Sequence, residues 1–322
     1  MRIERMVKLL PLALAGLALA APTVAQAEPI NRFNFQVTDI KPGGRFTLLF
    51  HAQSFDSTGG VPPAPTENYL RIPKGATLRR EFLTKRFFCD GPGLRTAIDT
   101  MDFSGTPFTK RVQNLKPFIR YLKRHARSAR AKRALANAQA CDRARIGGGT
   151  VRVDARGFSE KLDRLIEGTF SVFFSRATRP GAVAGFTVLG AADEDQEIVK
   201  RRTFEVLTGV HVALNANFVN DPTPDGLFGY RLDLPPGDIN GIDVSIAELD
   251  VTTKGLTLLK GTCLKQNARG RCVKRQRRTL FWFTIPPCPA SGAFSFQEVF
   301  RYPPPTPESV NTVQFACPRF LQ

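Results

Sequence analysis

Phe33, Phe35 and Val37 alternate with polar residues near the start of the chain, Gly43 and Gly44 interrupt the run, and Phe46, Leu48 and Phe50 resume it. Successive side chains of a strand point to opposite faces, so this spacing predicts a hairpin with one buried face. Residues 54–67, SFDSTGGVPPAPTE, hold too much Gly and Pro for regular structure and read as a loop. Similar runs predict strands at 69–72, 86–89, 149–154, 169–174, 185–189, 203–207, 210–218 and 229–234. Others follow at 242–251, 256–262, 280–285, 293–302 and 310–317. Turn residues separate most of them at the spacing of a sandwich or barrel. The segment 280–285, LFWFTI, lacks polar alternation and predicts a central strand buried on both faces. The expected fold class is mainly β, with antiparallel β-sandwich-like domains. An acidic loop at 193–197 is the expected boundary between one β-domain, 28–192, and a second, 193–322.

One segment breaks this pattern. Residues 116–141 are rich in Ala, Arg, Lys and Leu and have no Gly or Pro after Pro117, which suits a helix's first turn. A helix is predicted there, with a shorter one before it around 94–101. At about 100° per residue, Lys116, Arg120, Lys123, Arg124, Arg127 and Arg130 share an arc of about 120°. Phe118, Leu122, Ala126, Ala129 and Ala136 fall on the other side. The first β-domain therefore carries a basic α-helical insert at 92–140.

The start of the chain reads as an export signal. Arg2, Arg5 and Lys8 precede an apolar stretch at 9–21, and Ala25-Gln26-Ala27 supplies a small-x-small cleavage pattern. Residues 1–27 are thus the expected signal peptide and Glu28 the mature N-terminus. The apolar stretch is well short of the roughly 20 residues that span a bilayer. No transmembrane span is expected after signal removal.

The mature chain holds all six cysteines: Cys89, Cys141, Cys263, Cys272, Cys288 and Cys317. An even count in an exported chain reads as three disulfides, with about fifteen pairings open in principle. Neighbour order suggests Cys89–Cys141, Cys263–Cys272 and Cys288–Cys317, and Asn267-Ala268-Arg269-Gly270 looks like a turn inside the second pair. No C-x-x-C occurs and the histidines are far in sequence from any Cys pair. The cysteines do not read as a zinc site, and no cofactor or metal is implied.

The chain is 42% hydrophobic and 23% charged, an ordinary globular composition that excludes wholesale disorder. Its formal charge, however, is +18. Residues 110–145 carry +11 and residues 260–278 carry +8, which leaves the rest of the mature chain slightly negative. Charge focused this way points to an anionic partner, such as a phosphate-bearing polymer of the cell envelope or another polyanion. The candidate anion-binding residues are Lys116, Arg120, Lys123, Arg124, Arg127 and Arg130 on the helix, with Lys274, Arg275, Arg277 and Arg278 in the second stretch. Neither stretch interleaves the aromatics that single-stranded nucleic acid requires. The Ala-rich side of the helix suits packing on a domain better than membrane insertion. A merely solvated charged face is the competing account.

Catalytic signals are thin. His51 and His211 alternate onto the solvent side of their strands, and His125 lies at the edge of the basic helix. Neither H-E-x-x-H nor G-x-S-x-G occurs. The alternative function, an extracytoplasmic hydrolase of glycans or esters, needs a Ser beside His51 or His211, or two facing carboxylates. Asp193, Glu194, Asp195 and Glu197 could offer oxygens to calcium, but their spacing is not that of an EF-hand and a solvated loop accounts for them. Gly147, Gly148 and Gly149 precede Thr150 without the Lys of a phosphate loop, and read as a strand start or bulge. Phe supplies 26 rings against one Trp and four Tyr. Sugar-binding surfaces favour rings with a polar handle, so this set, Trp282 included, reads as core. The expected function is that of a non-catalytic secreted or cell-envelope-associated binding protein. A third reading is a ligand-free structural role in a surface layer.

Some short motifs look familiar. Leu70-Arg71-Ile72-Pro73-Lys74-Gly75 leads to Cys89, and Cys141 is followed by Ile146-Gly147-Gly148-Gly149-Thr150. Cys288-Pro289 precedes Gly292, Phe294 and Phe296, and Cys317 closes the set. This order resembles a group of exported β-rich proteins of soil actinobacteria that carry no assigned activity. The likeness spans most of the mature chain through short motifs. It implies export, β-architecture and the 89–141 and 288–317 pairings, and it transfers no mechanism. Two departures stand out. Asp142 and Ala144 replace the Pro and Ser of that pattern, and the long stretch between Cys89 and Cys141 makes the basic helix look like an insertion.

Overall fold

The computed structural model describes residues 29–41, 45–57, 64–84, 87–101, 112–154, 165–192, 212–234, 238–239, 242–243, 245–253, 256–284 and 286–317. The expected signal segment, the acidic loop at 193–197, the strand at 203–207 and His211 lie outside the described residues. Four strands open the described chain: β1 (Pro29–Lys41), β2 (Arg45–Asp56), β3 (Glu67–Pro73) and β4 (Thr77–Leu78). Three helices follow, α1 (Gly91–Thr100), α2 (Lys116–His125) and α3 (Ala129–Ala144). Then come β5 (Arg145–Asp154), β6 (Leu165–Ser175), β7 (Ala182–Ala192), β8 (Val212–Asn220) and β9 (Phe228–Leu234). The remaining strands are β10 (Asp238–Ile239), β11 (Ile242–Asp243), β12 (Ser245–Thr253), β13 (Leu256–Gln266), β14 (Cys272–Leu280), β15 (Phe283–Thr284), β16 (Ala293–Arg301) and β17 (Ser309–Ala316).

Eleven of these strands form one antiparallel sheet in the order β1-β2-β12-β5-β6-β7-β8-β9-β3-β16-β17. Its two edge strands, β1 and β17, return alongside each other, so the sheet curls into a nearly closed barrel. Across this seam the Asn31 amide donates to the Tyr302 hydroxyl at 2.9 Å. The mainly β, antiparallel class expected from the alternation is what the chain adopts. Strands from both sides of residue 193 share the sheet: β12 lies between β2 and β5, and β16 lies beside β3.

The register carries one apolar face around the barrel. Phe33, Phe174, Phe186, Phe218, Leu70 and Phe296 all fall on it. Eight strands close around a space that side chains can fill, and eleven leave more room. Part of that room is taken by the 280–283 segment. Leu280, Phe281, Trp282 and Phe283 are all buried, and the Trp282 ring lies 5.0 Å from Phe186 and 6.5 Å from Phe218. The sequence reading of a central strand is corrected here. Leu280 ends β14 opposite Leu256, Phe283 and Thr284 pair with Leu78 and Thr77, and Phe281 and Trp282 between them belong to no strand, so the apolar run is an internal plug. A run without alternation demands burial on all sides, which the inside of a barrel supplies as well as a central strand does.

The helices cover the outer face of β6 and β7. Ser171 donates to the Val112 carbonyl at 2.8 Å, and Gly91 presses so closely on the Thr187 side chain that a Cβ would collide. Asp90 caps α1 by accepting from Gly93 N, and Asn137 of α3 both accepts from Asp90 N and donates to its carbonyl. The Cys89–Cys141 bridge fixes the same junction. The other bridges are Cys263–Cys272 and Cys288–Cys317, as neighbour order suggests. Cys89 lies outside any strand, with its N–H on the Phe174 carbonyl, so the strand expected at 86–89 is not formed in its described part.

Candidate functional site

The single helix expected over 116–141 is two helices in the structure. α2 ends at His125, whose ring Nδ1 is 2.9 Å from the Tyr121 carbonyl, and α3 starts after Ser128, whose hydroxyl accepts from Ala131 N. Arg120 and Arg124, like Lys123 and Arg127, are like charges four apart, which disfavours continuing the helix. The break resets the phase. α2 buries Phe118, Ile119 and Leu122, whereas α3 buries Ala134, Ala138, Cys141 and Ala144. Ala129 and Ala136, expected on the packed side, are exposed.

Every candidate cation of the helical segment is exposed: Lys116, Arg120, Lys123 and Arg124 on α2, Arg127 in the link, and Arg130 on α3. Arg130 donates to Thr100 Oγ1 at 3.0 Å. Arg145, at the end of the same run, is not part of this surface. It is half-buried and donates to the Gln113 and Gly147 carbonyls, and burial lowers its pKa.

The second basic stretch is a two-stranded hairpin, β13–β14, stapled by Cys263–Cys272. Its turn is built by Asn267, whose side-chain oxygen accepts from Arg269 N and Arg271 N, and by Gly270 at φ +70°. Lys274 is exposed directly opposite Lys265; Arg275, Arg277 and Arg278 sit opposite Cys263, Leu259 and Leu258 in the register. The side chains of Arg275, Arg277 and Arg278 lie outside the described residues. Cα atoms of α3 approach those of β13 within 8 Å. One helix of the first basic run thus approaches one strand of the second, although more than a hundred residues of chain separate the runs.

Among the described residues, no carboxylate pairs with Lys116, Arg120, Lys123, Arg124, Arg127, Lys265, Arg269, Arg271 or Lys274. Several arginines elsewhere are paired with carboxylates, Arg95, Arg152, Arg179, Arg231 and Arg301 among them. On the outer face of β9, β3 and β16, Tyr69 is buried beneath Arg71, Arg231 and Arg301, whose guanidinium carbons lie 5.4, 5.1 and 5.7 Å from its ring. Arg231 meets Asp233 at 2.7 Å, and Arg301 meets Glu308 at 2.7 Å and Glu67 at 2.9 Å. The bond from Glu308 raises the Arg301 pKa. On the inner face of the same strands, Glu298 is 1% exposed and its Oε2 has no hydrogen-bond partner. Burial pushes its carboxyl up to about 8.

His51 and Asp250 form the arrangement that sequence reading missed. They face each other across β2 and β12, with Nδ1 2.7 Å from Asp250 Oδ1. The other residue opposite His51 is Asn34, so no serine is paired with it in the register. Nothing in the sequence pointed to the pair, because 199 residues separate the partners. Comparison with family models, curated proteins and solved structures returns no match to this chain.

Proposed function

We propose that this is an exported, non-catalytic protein of the cell envelope or its surroundings that binds an anionic polymer through the joined surface of α2, α3 and the β13–β14 hairpin. The observation that carries the reading is the contrast in pairing: the described cations of this surface, from Lys116 to Arg127 and at Lys265, Arg269, Arg271 and Lys274, are exposed and without carboxylate partners, while Arg231 and Arg301 of the β3 face are paired with carboxylates. Lys265 directly opposite Lys274 costs stability, as like charges across a strand pair do. An anionic ligand relieves that cost. Export rests on the leader-like start of the chain, on the likeness to exported actinobacterial proteins, and on three disulfides, which form and persist in oxidising compartments. Among the described residues no helix is long and apolar enough to cross a membrane.

The test is sedimentation of the mature protein with purified cell envelopes over a salt series. A variant with Lys116, Arg120, Lys123, Arg124, Arg127 and Arg130 changed to Gln is run beside it. Binding by phosphate neutralisation falls linearly in log affinity against log salt, and the variant loses both the affinity and most of that slope. Binding indifferent to salt and to these substitutions would refute the proposal.

A further inference from the structure

A second cluster lies on the outer face of the barrel. His51 of β2 has Asp250 of β12 directly across from it, and Glu248, two residues earlier on β12, shares that face. Glu248 Oε1 is 4.0 Å from His51 Nε2, and one donor atom from each of the three residues fits within 4.8 Å. The two ring nitrogens have different neighbours. Nδ1 is engaged by Asp250 at 2.7 Å, which leaves Nε2 turned toward Glu248. A carboxylate on one nitrogen fixes the tautomer that presents the lone pair of the other, as in carboxylate–histidine–metal arrangements.

Glu248 is prepared in the same way. Arg152 Nη1 donates to its Oε2 at 3.0 Å, while Oε1 faces His51 and Gln53. The His51 side chain is 36% exposed and that of Glu248 24% exposed. Water or an anionic oxygen can therefore complete a coordination shell. An ion held at about 2.1 Å by both atoms in tetrahedral geometry needs them about 3.4 Å apart. Closing the gap takes a small side-chain rotation.

We propose that His51 Nε2 and Glu248 Oε1 hold a divalent transition-metal ion such as Zn²⁺, with Asp250 positioning the imidazole and Arg152 and Gln53 positioning the carboxylate. An imidazole–carboxylate pair selects such an ion over Ca²⁺ and Mg²⁺, which prefer all-oxygen shells. The cysteines do not compete, because all six are in disulfides. The site is open, with only two protein ligands.

The test titrates zinc chloride into the full mature chain, untagged and stripped with chelator, by calorimetry. One Zn²⁺ per chain is expected with micromolar affinity. His51→Gln and Glu248→Gln each weaken that binding at least tenfold, Asp250→Asn weakens it about tenfold, and His125→Gln leaves it unchanged. Zinc raises the melting temperature of the wild type and not of His51→Gln, a readout that also shows whether the variant folds. Absence of binding to the wild type overturns the proposal. So does unchanged affinity in both His51→Gln and Glu248→Gln, or binding lost only in His125→Gln or His211→Gln.

Discussion

The outer face of β9, β3 and β16 and the surface of α2, α3 and the hairpin are both rich in cations, and they treat them in opposite ways. On the strands the guanidinium groups sit over a buried tyrosine, and half-buried Arg231 and exposed Arg301 are each matched to a carboxylate within 3 Å. On α2, the link and the hairpin the described cations are exposed to solvent and no carboxylate is paired with them. Covered charge has to be neutralised, because desolvation penalises the ionised form. Glu298, on the inner side of the same strands, follows that rule by holding its proton rather than finding a cation. Exposed charge is solvated by water and stays available to a ligand. The comparison separates arginines paired on the barrel wall from cations left to solvent.

The largest effect that would break this comparison lies at Glu298. The unfolded chain ionises this group near 4.5 and the folded chain near 8. Between those values the folded state keeps a proton that the unfolded state has lost. The contribution to stability is therefore full below 4.5, declines as pH rises, and levels off above 8. The limiting slope is about 1.4 kcal/mol per pH unit. Denaturant unfolding of wild type and Glu298→Gln from acid to mildly alkaline pH should show the decline in the wild type and its loss in the variant.

Next is the six-residue Gln variant of the helical face. Envelope binding at low salt should weaken at least about a hundredfold, equivalent to about 2.7 kcal/mol. Its unfolding midpoint should stay near that of the wild type, because no ion pair is lost. Arg231→Gln should do the converse. Losing the partly buried contacts with Asp233 and Asp221 costs about 1–2 kcal/mol of stability, while sedimentation with envelopes is unchanged. A variant that moves both readouts would erase the distinction between the two surfaces. The smallest effect is expected from changing Cys263 and Cys272 together to Ala. The hairpin stays attached through its own ladder, so binding weakens only severalfold, through lost preorganisation.

How much of this was legible in the sequence follows from how local each signal is. Alternation at Phe33, Phe35 and Val37, the turn around Asn267 and Gly270, and the two basic runs are properties of a few neighbouring residues, so the strands, the hairpin and the charge were readable. The helix at 116–141 was readable as helical but not as two pieces. Its break depends on the Ser128 cap and on which apolar side chains find the β6 and β7 face, not on propensity alone. For Leu280 to Phe283 the burial was legible and the location was not, since an apolar run cannot distinguish a central strand from a plug.

The sequence by itself determined most of the strand segments, where positive charge is concentrated, and that six cysteines were available to pair in neighbour order. Only the tertiary structure decided which strands are neighbours. That decision set His51 beside Asp250 and Glu248 across 199 and 197 residues of chain, laid Arg301 between Glu67 and Glu308, turned Glu298 inward, and brought α3 against β13. The physical reason is that alternation fixes only which face of a strand is buried. The partner of that strand is selected by closure of the whole sheet, where register and curvature must be satisfied by all eleven strands together.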